Sequence, residues 1–213
     1  MFDFKKIFHD DPLLNEVYRL RYKVYCEEWG FERQEDHPGG IERDEFDEHS
    51  VHFVAIRKVD RKLIGTTRLI LHSQFGFPIE KHCHINEDVL TYDKVHWGEI
   101  SRLAVSKEFR KRAGDDSIYK LEYPILHDVN SPFQERRKNE NQIVLGLYRC
   151  MYRESLESGL THLYAVMAKG LFILTKRVGL NFIQVGTEIE YHGIRTPYTI
   201  CIQEIDGRIF PDQ

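Results

Sequence analysis

The spacing of apolar residues in the first thirty positions predicts an amphipathic helix. Apolar side chains recur every three or four residues, at Leu13, Val17, Leu20 and Val24. The pair Asp11-Pro12 is typical of a helix start, because Asp caps free backbone N–H groups and Pro tolerates the first helical position. We expect this helix to run to about Glu28 and to end before Gly30.

Alternating or continuous apolar runs predict strands in the rest of the chain. The predicted strands are 51–59, 63–71, 97–105, 162–167, 182–185 and 198–205. The first two form a hairpin around the turn 60–62. Helical spacing returns at 141–157 and at 171–178. The polar segments 32–49 and 106–141 are expected to be a long loop and an excursion with at most short helices.

Composition narrows the class of protein. The order of helices and strands predicts one mixed α/β domain over residues 1–213. Aromatic residues make up 12% of the chain, which excludes general disorder. The 30 basic and 34 acidic residues give a net charge of −4, which argues against a nucleic-acid partner. No apolar run is long enough to span a membrane, and the N-terminus lacks the apolar region of a signal peptide.

The cysteines and histidines exclude other kinds of site. The four cysteines, Cys26, Cys83, Cys150 and Cys201, are widely separated, so neither a disulfide framework nor a cysteine zinc site is expected. Reduced thiols indicate a cytoplasmic protein. His82 and His84 form a close pair without an evident third metal ligand, so no metal site and no resident cofactor are expected.

Charged residues inside apolar segments are the main functional signal. The six concerned are three bases and three acids: Arg21, Arg68, Arg102, Asp44, Asp47 and Glu99. A buried charge is costly unless it is paired, so we expect one mutually neutralising network, although each residue alone also fits a solvated surface. Glu99 and Arg102 are three apart on a strand, so they share a site only if a β-bulge redirects one of them.

Four segments containing these charges resemble the motifs of a known family. Residues 20–32, 44–47, 65–69 and 99–105 resemble, in this order, the motifs of acyl-homoserine lactone synthases. Segments 24–28, 109–112 and 190–193 are similar to acyltransferases associated with PEP-CTERM/exosortase systems, which are themselves similar to N-acyl amino acid synthases. These families belong to the GNAT superfamily of N-acyltransferases.

The resemblance implies a fold and a set of site residues. The implied fold is a twisted mixed sheet flanked by helices, in which two parallel strands separate around the pantetheine arm of an acyl donor; 97–105 and 162–167 are the candidates. Glu99 and Arg102 fall at charged positions of the lactone-synthase motif, and we expect them to be the catalytic residues. Positions implied to bind substrate are Arg21, Tyr25, Phe31, Asp44, Asp47 and Arg68. Tyr25 stands where lactone synthases usually have Phe, and Phe31 where they have Trp.

These residues suit acyl transfer to an amine. Glu99 is the candidate base that takes the amine's proton, and N–H groups freed by a bulge would stabilise the oxyanion. Tyr148, Tyr152 and Tyr164 are candidate acids, none of which the sequence favours. The expected reaction moves a fatty acyl group from a pantetheine thioester to a small-molecule amine, and the expected acceptor is an amino acid. The alternatives are lactone synthesis from S-adenosylmethionine and a non-catalytic sensor of acyl ligands.

The expected donor is an acyl-carrier protein rather than coenzyme A. The segment 110–116 has a single glycine and two acids where the resemblance places a phosphate-binding loop. Two basic triplets are present: Arg110, Lys111 and Arg112, and Arg136, Arg137 and Lys138. They are either docking surfaces for an acidic carrier protein or ordinary solvated stretches.

Overall fold

The structure is a computed structural model that describes residues 1–90, 93–110, 132–190 and 192–210. Its strands are β1 (Phe2–Ile7), β2 (Ser50–Arg57), β3 (Leu63–Leu71), β4 (Trp97–Val105), β5 (His162–Met167), β6 (Ile183–Gln184), β7 (Ile189–Glu190) and β8 (Ile194–Cys201). Its helices are α1 (Leu13–Tyr22), α2 (Pro78–His82), α3 (Glu87–Leu90), α4 (Pro132–Glu157) and α5 (Lys169–Arg177). A π-helical segment, Lys23–Glu28, continues α1 up to the predicted end.

The strands form one mixed sheet over the described residues. Its order is β1-β2-β3-β4-β5-β8-β6, and β7 pairs with β8. The first four strands are antiparallel, β4 and β5 are parallel, and β8 is antiparallel to β5. The bounds of β3, β4 and β5 are those predicted from the sequence.

The two parallel strands separate along their length, as predicted. Pairing of β4 with β5 extends from Trp97 opposite His162 to Ile100 opposite Ala165 and then stops, while β4 continues to Val105. A register shift between β3 and β4 accommodates one extra residue of β4 opposite Thr67. This is the predicted bulge, and its conformation is marked by a φ of 52° at Arg102.

Helices cover both faces of the sheet. On one face, α4 packs against the first four strands through the fully buried Ile143 and Leu147. It approaches β1 so closely that a Cβ on Gly146 would lie 2.2 Å from the ring of Phe4, so only glycine fits there. On the other face, α1 buries Val17 and Leu20. Asp11 caps α1 as predicted, accepting the N–H of Leu13 at 2.9 Å.

Several elements differ from the sequence prediction. The helix predicted to begin at 141 begins at Pro132, because its polar first turns form helix without an apolar stripe. The edge strand β1 was not predicted, and it is held by backbone pairing with β2. The last long strand lies four residues earlier than predicted, and Ile202–Glu204 form a 3₁₀ turn. Pro197 of this strand has no N–H to donate, but its carbonyl accepts a hydrogen bond from the N–H of Val185.

Candidate active site

Arg21 of α1 is the first centre of a buried charge network. Its Nη1 and Nη2 donate to the two carboxylate oxygens of Asp47 at 2.6 and 3.0 Å. Its Nε donates to Glu42. The side chains of Arg21, Glu42 and Asp47 are at most 3% exposed. A planar guanidinium that meets two carboxylates in this way fixes the loop of residues 32–49 against α1.

Arg68 of β3 is the second centre of the network. It forms a two-pronged pair with Asp44, at 2.6 and 2.8 Å, and a further bond to Asp47 at 2.7 Å. Its Nε donates to the hydroxyl of Ser101 on β4 at 2.8 Å. Arg68 is 1% exposed. The loop is therefore tied to the sheet as well as to α1.

Arg102, at the bulge of β4, is the third centre. Its guanidinium donates to Glu42 at 3.1 Å, to Glu32 at 3.2 Å and to Asp44 at 3.3 Å. It also lies over the ring of Tyr25, 5.5 Å from the centroid. The bulge turns this side chain toward the loop, so the three arginines share Glu42, Asp44 and Asp47 among them.

The network is charged at neutral pH. Burial alone would raise the pKa of Asp47, but the guanidinium groups of Arg21 and Arg68 hold it well below its usual range. Burial likewise opposes ionisation of Glu42, and Arg21 and Arg102 lower its pKa. Three positive and three negative groups therefore neutralise one another, with Glu32 at the edge.

Glu99 lies apart from this network, which corrects the prediction of six connected residues. Its Oε2 accepts the backbone N–H of Ile79 on α2 at 2.9 Å, and no salt bridge to it occurs within the described part of the chain. Its place is taken by Glu42, which the sequence analysis missed because that residue sits in an acidic loop without a periodic pattern. The charge count gave no signal for Glu42, because Asp44, Asp47 and Glu99 already matched the three bases in number.

The surroundings of Glu99 favour its neutral form. The side chain is 3% exposed. Burial raises the pKa of Glu99 to about 8, against the lowering effect of the Ile79 hydrogen bond. On the neighbouring strand, Tyr164 stands opposite Glu99, fully buried, and its hydroxyl has no hydrogen-bond partner among the described residues. A carboxyl group with a pKa near neutrality is suited to exchanging a proton.

An aromatic group lies beside the bulge. The Tyr25 hydroxyl donates to the carbonyl of Leu103 at 2.9 Å. Phe31 contacts Tyr25 at a centroid distance of 6.3 Å and stacks on Trp29 at 5.6 Å. His192 packs on Phe31 at 5.0 Å, and this contact was not predicted from the sequence. The two aromatic positions singled out in the sequence therefore adjoin each other and the separated part of β4.

A narrow apolar cavity lies on the α4 face of the sheet, beside the separating strands. Its volume is about 20 Å³. It is lined by Ile100, Tyr148, Met151, Tyr152, Leu163, Leu180, Phe182, Ile200, Ile205 and Phe210. Two of the three candidate acids thus line this cavity, whereas Tyr164 lies beside Glu99.

The basic triplets are described only in part. Arg110 pairs with Glu28 and lies over the ring of Trp29, 4.5 Å from the centroid, so it faces the chain rather than solvent. Lys138 is exposed. Lys111 and Arg112, and the side chains of Arg136 and Arg137, lie outside what the structure describes.

The described residues contain neither a metal-binding cluster nor a membrane-spanning helix. Among the described residues, no group of three or more His, Cys, Asp or Glu is placed to hold a metal ion. None of the described helices is both long and apolar enough to cross a membrane.

The acetyltransferase (GNAT) domain family matches residues 20–120 of the chain. This range contains all three arginines of the network and Glu99. None of the curated proteins matches the chain in sequence. The domain match confirms the enzyme class predicted from the sequence, an N-acyltransferase.

Solved structures extend the likeness to nearly the whole chain. The acyl-homoserine lactone (AHL) synthase LasI has a TM-score of 0.61 at 19% identity, covering 95% of this chain and 89% of its own. The CoA-dependent AHL synthase BjaI, with SAM and isopentyl-CoA, has a TM-score of 0.68 at 18% identity, covering 100% and 92%. FeeM, an N-acyl amino acid synthase from uncultured soil microbes, has a TM-score of 0.56 at 15% identity, covering 96% and 92%. At these identities the likeness establishes the fold, which is the predicted GNAT-like fold.

Proposed function

We propose that the protein transfers a fatty acyl group from a pantetheine thioester to the amine of an amino acid. The observation that carries this proposal is the opening between β4 and β5, with an apolar cavity on the α4 face and a charged, aromatic site on the other face. A thioester arm in the opening would have its acyl chain on the apolar side. The amine would then approach from the side of Tyr25 and Phe31.

The cavity supports an acyl chain as the transferred group. It is lined almost wholly by apolar side chains. At about 20 Å³ it holds no more than about one water molecule, so an acyl chain requires these side chains to move apart. Met151 lies in its wall, and methionine adapts its shape more easily than branched residues.

The proposed chemistry assigns the proton to Glu99. The amine nitrogen bonds to the thioester carbon and the C–S bond breaks. Because the Glu99 carboxylate is buried, the amine does not contact it directly, and the proton lost from nitrogen passes to ionised Glu99 through water. The departing thiolate takes a proton from solvent. Backbone N–H groups at the bulge are the candidate oxyanion donors.

The charged residues hold this site in place. Arg102 acts as a positioning residue: its three carboxylate contacts fix the bulge from which the oxyanion donors come. Four other charged residues act on the acceptor only by fixing the loop that follows Phe31. They are Arg21, Arg68, Asp44 and Asp47. Tyr25 and Phe31 form the wall against which the acceptor lies.

We further propose that the donor arrives on an acyl-carrier protein in the cytoplasm. The single glycine and two acids of segment 110–116 suit a pyrophosphate poorly, and the exposed Lys138 belongs to a basic triplet that suits acidic helices. The described cysteines are unpaired, which supports a reducing compartment. The amino-acid sequences of segments 24–28, 109–112 and 190–193 support assigning the protein to the exosortase-associated acyltransferases.

Acyl-carrier-protein thioesters of several chain lengths, incubated with a mixture of amino acids, test the proposal. Thiol release should depend on the amino acids, and mass spectrometry should detect an N-acyl amino acid. Parallel reactions with acyl-coenzyme A decide between the donors: equal use of both, without a salt effect on either, would remove the carrier-protein assignment. No thiol release with any donor would refute the proposal, and acyl binding without release would favour the sensor function.

Lactone synthesis is the second candidate function. The arginine–carboxylate network that resembles lactone synthases is intact apart from the exchange of Glu99 for Glu42. Adding S-adenosylmethionine as the sole acceptor tests it. Formation of a product with a homoserine-lactone ring would mean that S-adenosylmethionine, rather than an amino acid, is the acceptor.

A further inference from the structure

Arg195 lies at the open end of the gap between the parallel strands. Thr196 of β8 pairs with Met167, the last residue of β5, and Arg195 directly precedes it. The pairing of β4 with β5 has already stopped at Ile100 and Ala165. Arg195 is therefore beside the place where the two strands are no longer joined.

The guanidinium of Arg195 faces the aromatic group of the candidate active site. Its Cζ lies 5.9 Å from the ring centroid of Phe31. Phe31 contacts Tyr25, and the Tyr25 hydroxyl bonds to Leu103 on the bulged part of β4. These contacts link β8 to β4 on the α1 side of the sheet, opposite the face that carries the apolar cavity.

Arg195 differs from Arg102 in having no carboxylate partner among the residues that the structure describes. Arg102, which lies over Tyr25, is in contact with three carboxylates. Arg195 is half-buried, and its guanidinium donates to the carbonyl of Ile194 at 3.3 Å; it makes no salt bridge within the described ranges. The Glu190 carboxylate interacts with this guanidinium only electrostatically, at longer range than a salt bridge. A half-buried guanidinium with free donors is suited to a carboxylate, which it can meet with two parallel hydrogen bonds.

We infer that Arg195 binds the carboxylate of the acceptor amino acid and directs its amine into the gap. The inference rests on the proposed function and adds the group that selects the acceptor. Arg195 lies with Phe31 and Tyr25, away from the cavity that would hold the acyl chain, so the anion it binds belongs to the acceptor. An amine whose carboxylate is replaced by a carboxamide keeps its nucleophile and loses this contact.

The test compares the best amino acid acceptor with its carboxamide in the wild type, Arg195→Gln and Arg195→Lys. The wild type should prefer the free acid in kcat/KM by about ten- to hundredfold, as expected for a hydrogen-bonded ion pair. Arg195→Gln should remove the preference by slowing only the free acid, and Arg195→Lys should restore part of it. Arg208→Gln is the matched control, because that side chain is 91% exposed and pairs with Asp206.

Other results of this comparison would contradict the role inferred for Arg195 or assign it a different one. Equal loss with acid and carboxamide, or no loss with either, would overturn the inference. A higher KM for a phosphopantetheine thioester, with the acid-to-carboxamide ratio unchanged and no effect with a thioester lacking phosphate, would assign Arg195 to the donor.

Failure of the proposed function is distinguishable from failure of the inference. If no variant transfers an acyl group, calorimetric titration with the amino acids still measures binding. Binding by the wild type that requires both a free carboxylate and Arg195 would support the carboxylate site alone. Titration without any such dependence would overturn it.

Discussion

Replacing Glu99 by Gln should change how stability depends on pH. The native pKa of about 8 lies well above the 4.5 of an ordinary glutamate. Between these two values the native state keeps a proton that the unfolded state has lost, so stability falls as pH rises through this window. At about 1.4 kcal/mol per pH unit, the whole window corresponds to about 5 kcal/mol.

The measurement is best made above pH 6.5, because histidine acts in the opposite direction below it. Burial lowers the pKa of His52 to about 4, so its neutral native form gains stability as pH rises toward 6.5 and nothing further above that. From pH 6.5 to 8 the wild type should lose about 2 kcal/mol of unfolding free energy through Glu99. Urea unfolding at several pH values should show this decline, and Glu99→Gln should lack it.

Activity supplies the second half of the same test. If Glu99 takes the amine's proton, kcat/KM should rise with pH up to about 8 in the wild type. The Gln variant should fold and lose turnover, while Glu48→Gln, at an exposed site, should behave as the wild type. A Gln variant with nearly full rate would refute the base assignment. A variant with the wild-type decline in stability would refute the reasoning about burial.

Three further predictions concern the network, the bulge and the donor. Arg68→Ala should lower the unfolding free energy in urea by about 3–5 kcal/mol, because Asp44 and Asp47 lose a buried counter-charge; an effect as small as that of exposed Arg208→Ala would contradict this. Tyr25→Phe removes the hydroxyl bond to Leu103 and should cost about 1 kcal/mol, or about 2–4 °C in Tm; an unchanged Tm would mean that the bond contributes nothing. Charge reversal of Arg136, Arg137 and Lys138 together should raise the apparent KM for carrier-bound donor and spare a short pantetheine thioester; equal losses with both would assign the triplet to the fold.

The sequence predicted those elements whose side chains follow a simple period. The hairpin of β2 and β3 and the pair β4 and β5 consist of long apolar runs, and their ends were placed within two residues. The strand β1 is short and lies at the sheet edge, so its pattern over Phe2–Ile7 was too brief to distinguish from a loop. The first turns of α4 are polar, so they carry helix propensity without a stripe.

The candidate site was predictable where a charge interrupts an apolar element. Arg21 and Arg68 stand out because they occur among residues that must be buried. Glu42 does not stand out, because its loop contains many acids and its burial arises from the path of the loop between α1 and the sheet. Arg195 and His192 belong to a segment that the sequence placed in a connection. Only their contacts with Phe31 in the structure show what they face.

Because Glu42 rather than Glu99 belongs to the network, the residues that stabilise this site differ from the residue proposed to take the proton. With Glu42 in the network, the three arginines are neutralised without Glu99, so the network does not require Glu99 to be ionised. Glu99 can therefore gain and lose a proton near neutral pH without unbalancing the buried charges. Substitutions in the network should then act mainly on stability. Substitution of Glu99 should act on turnover and on how stability depends on pH, so the two groups of variants report on different properties of the same site.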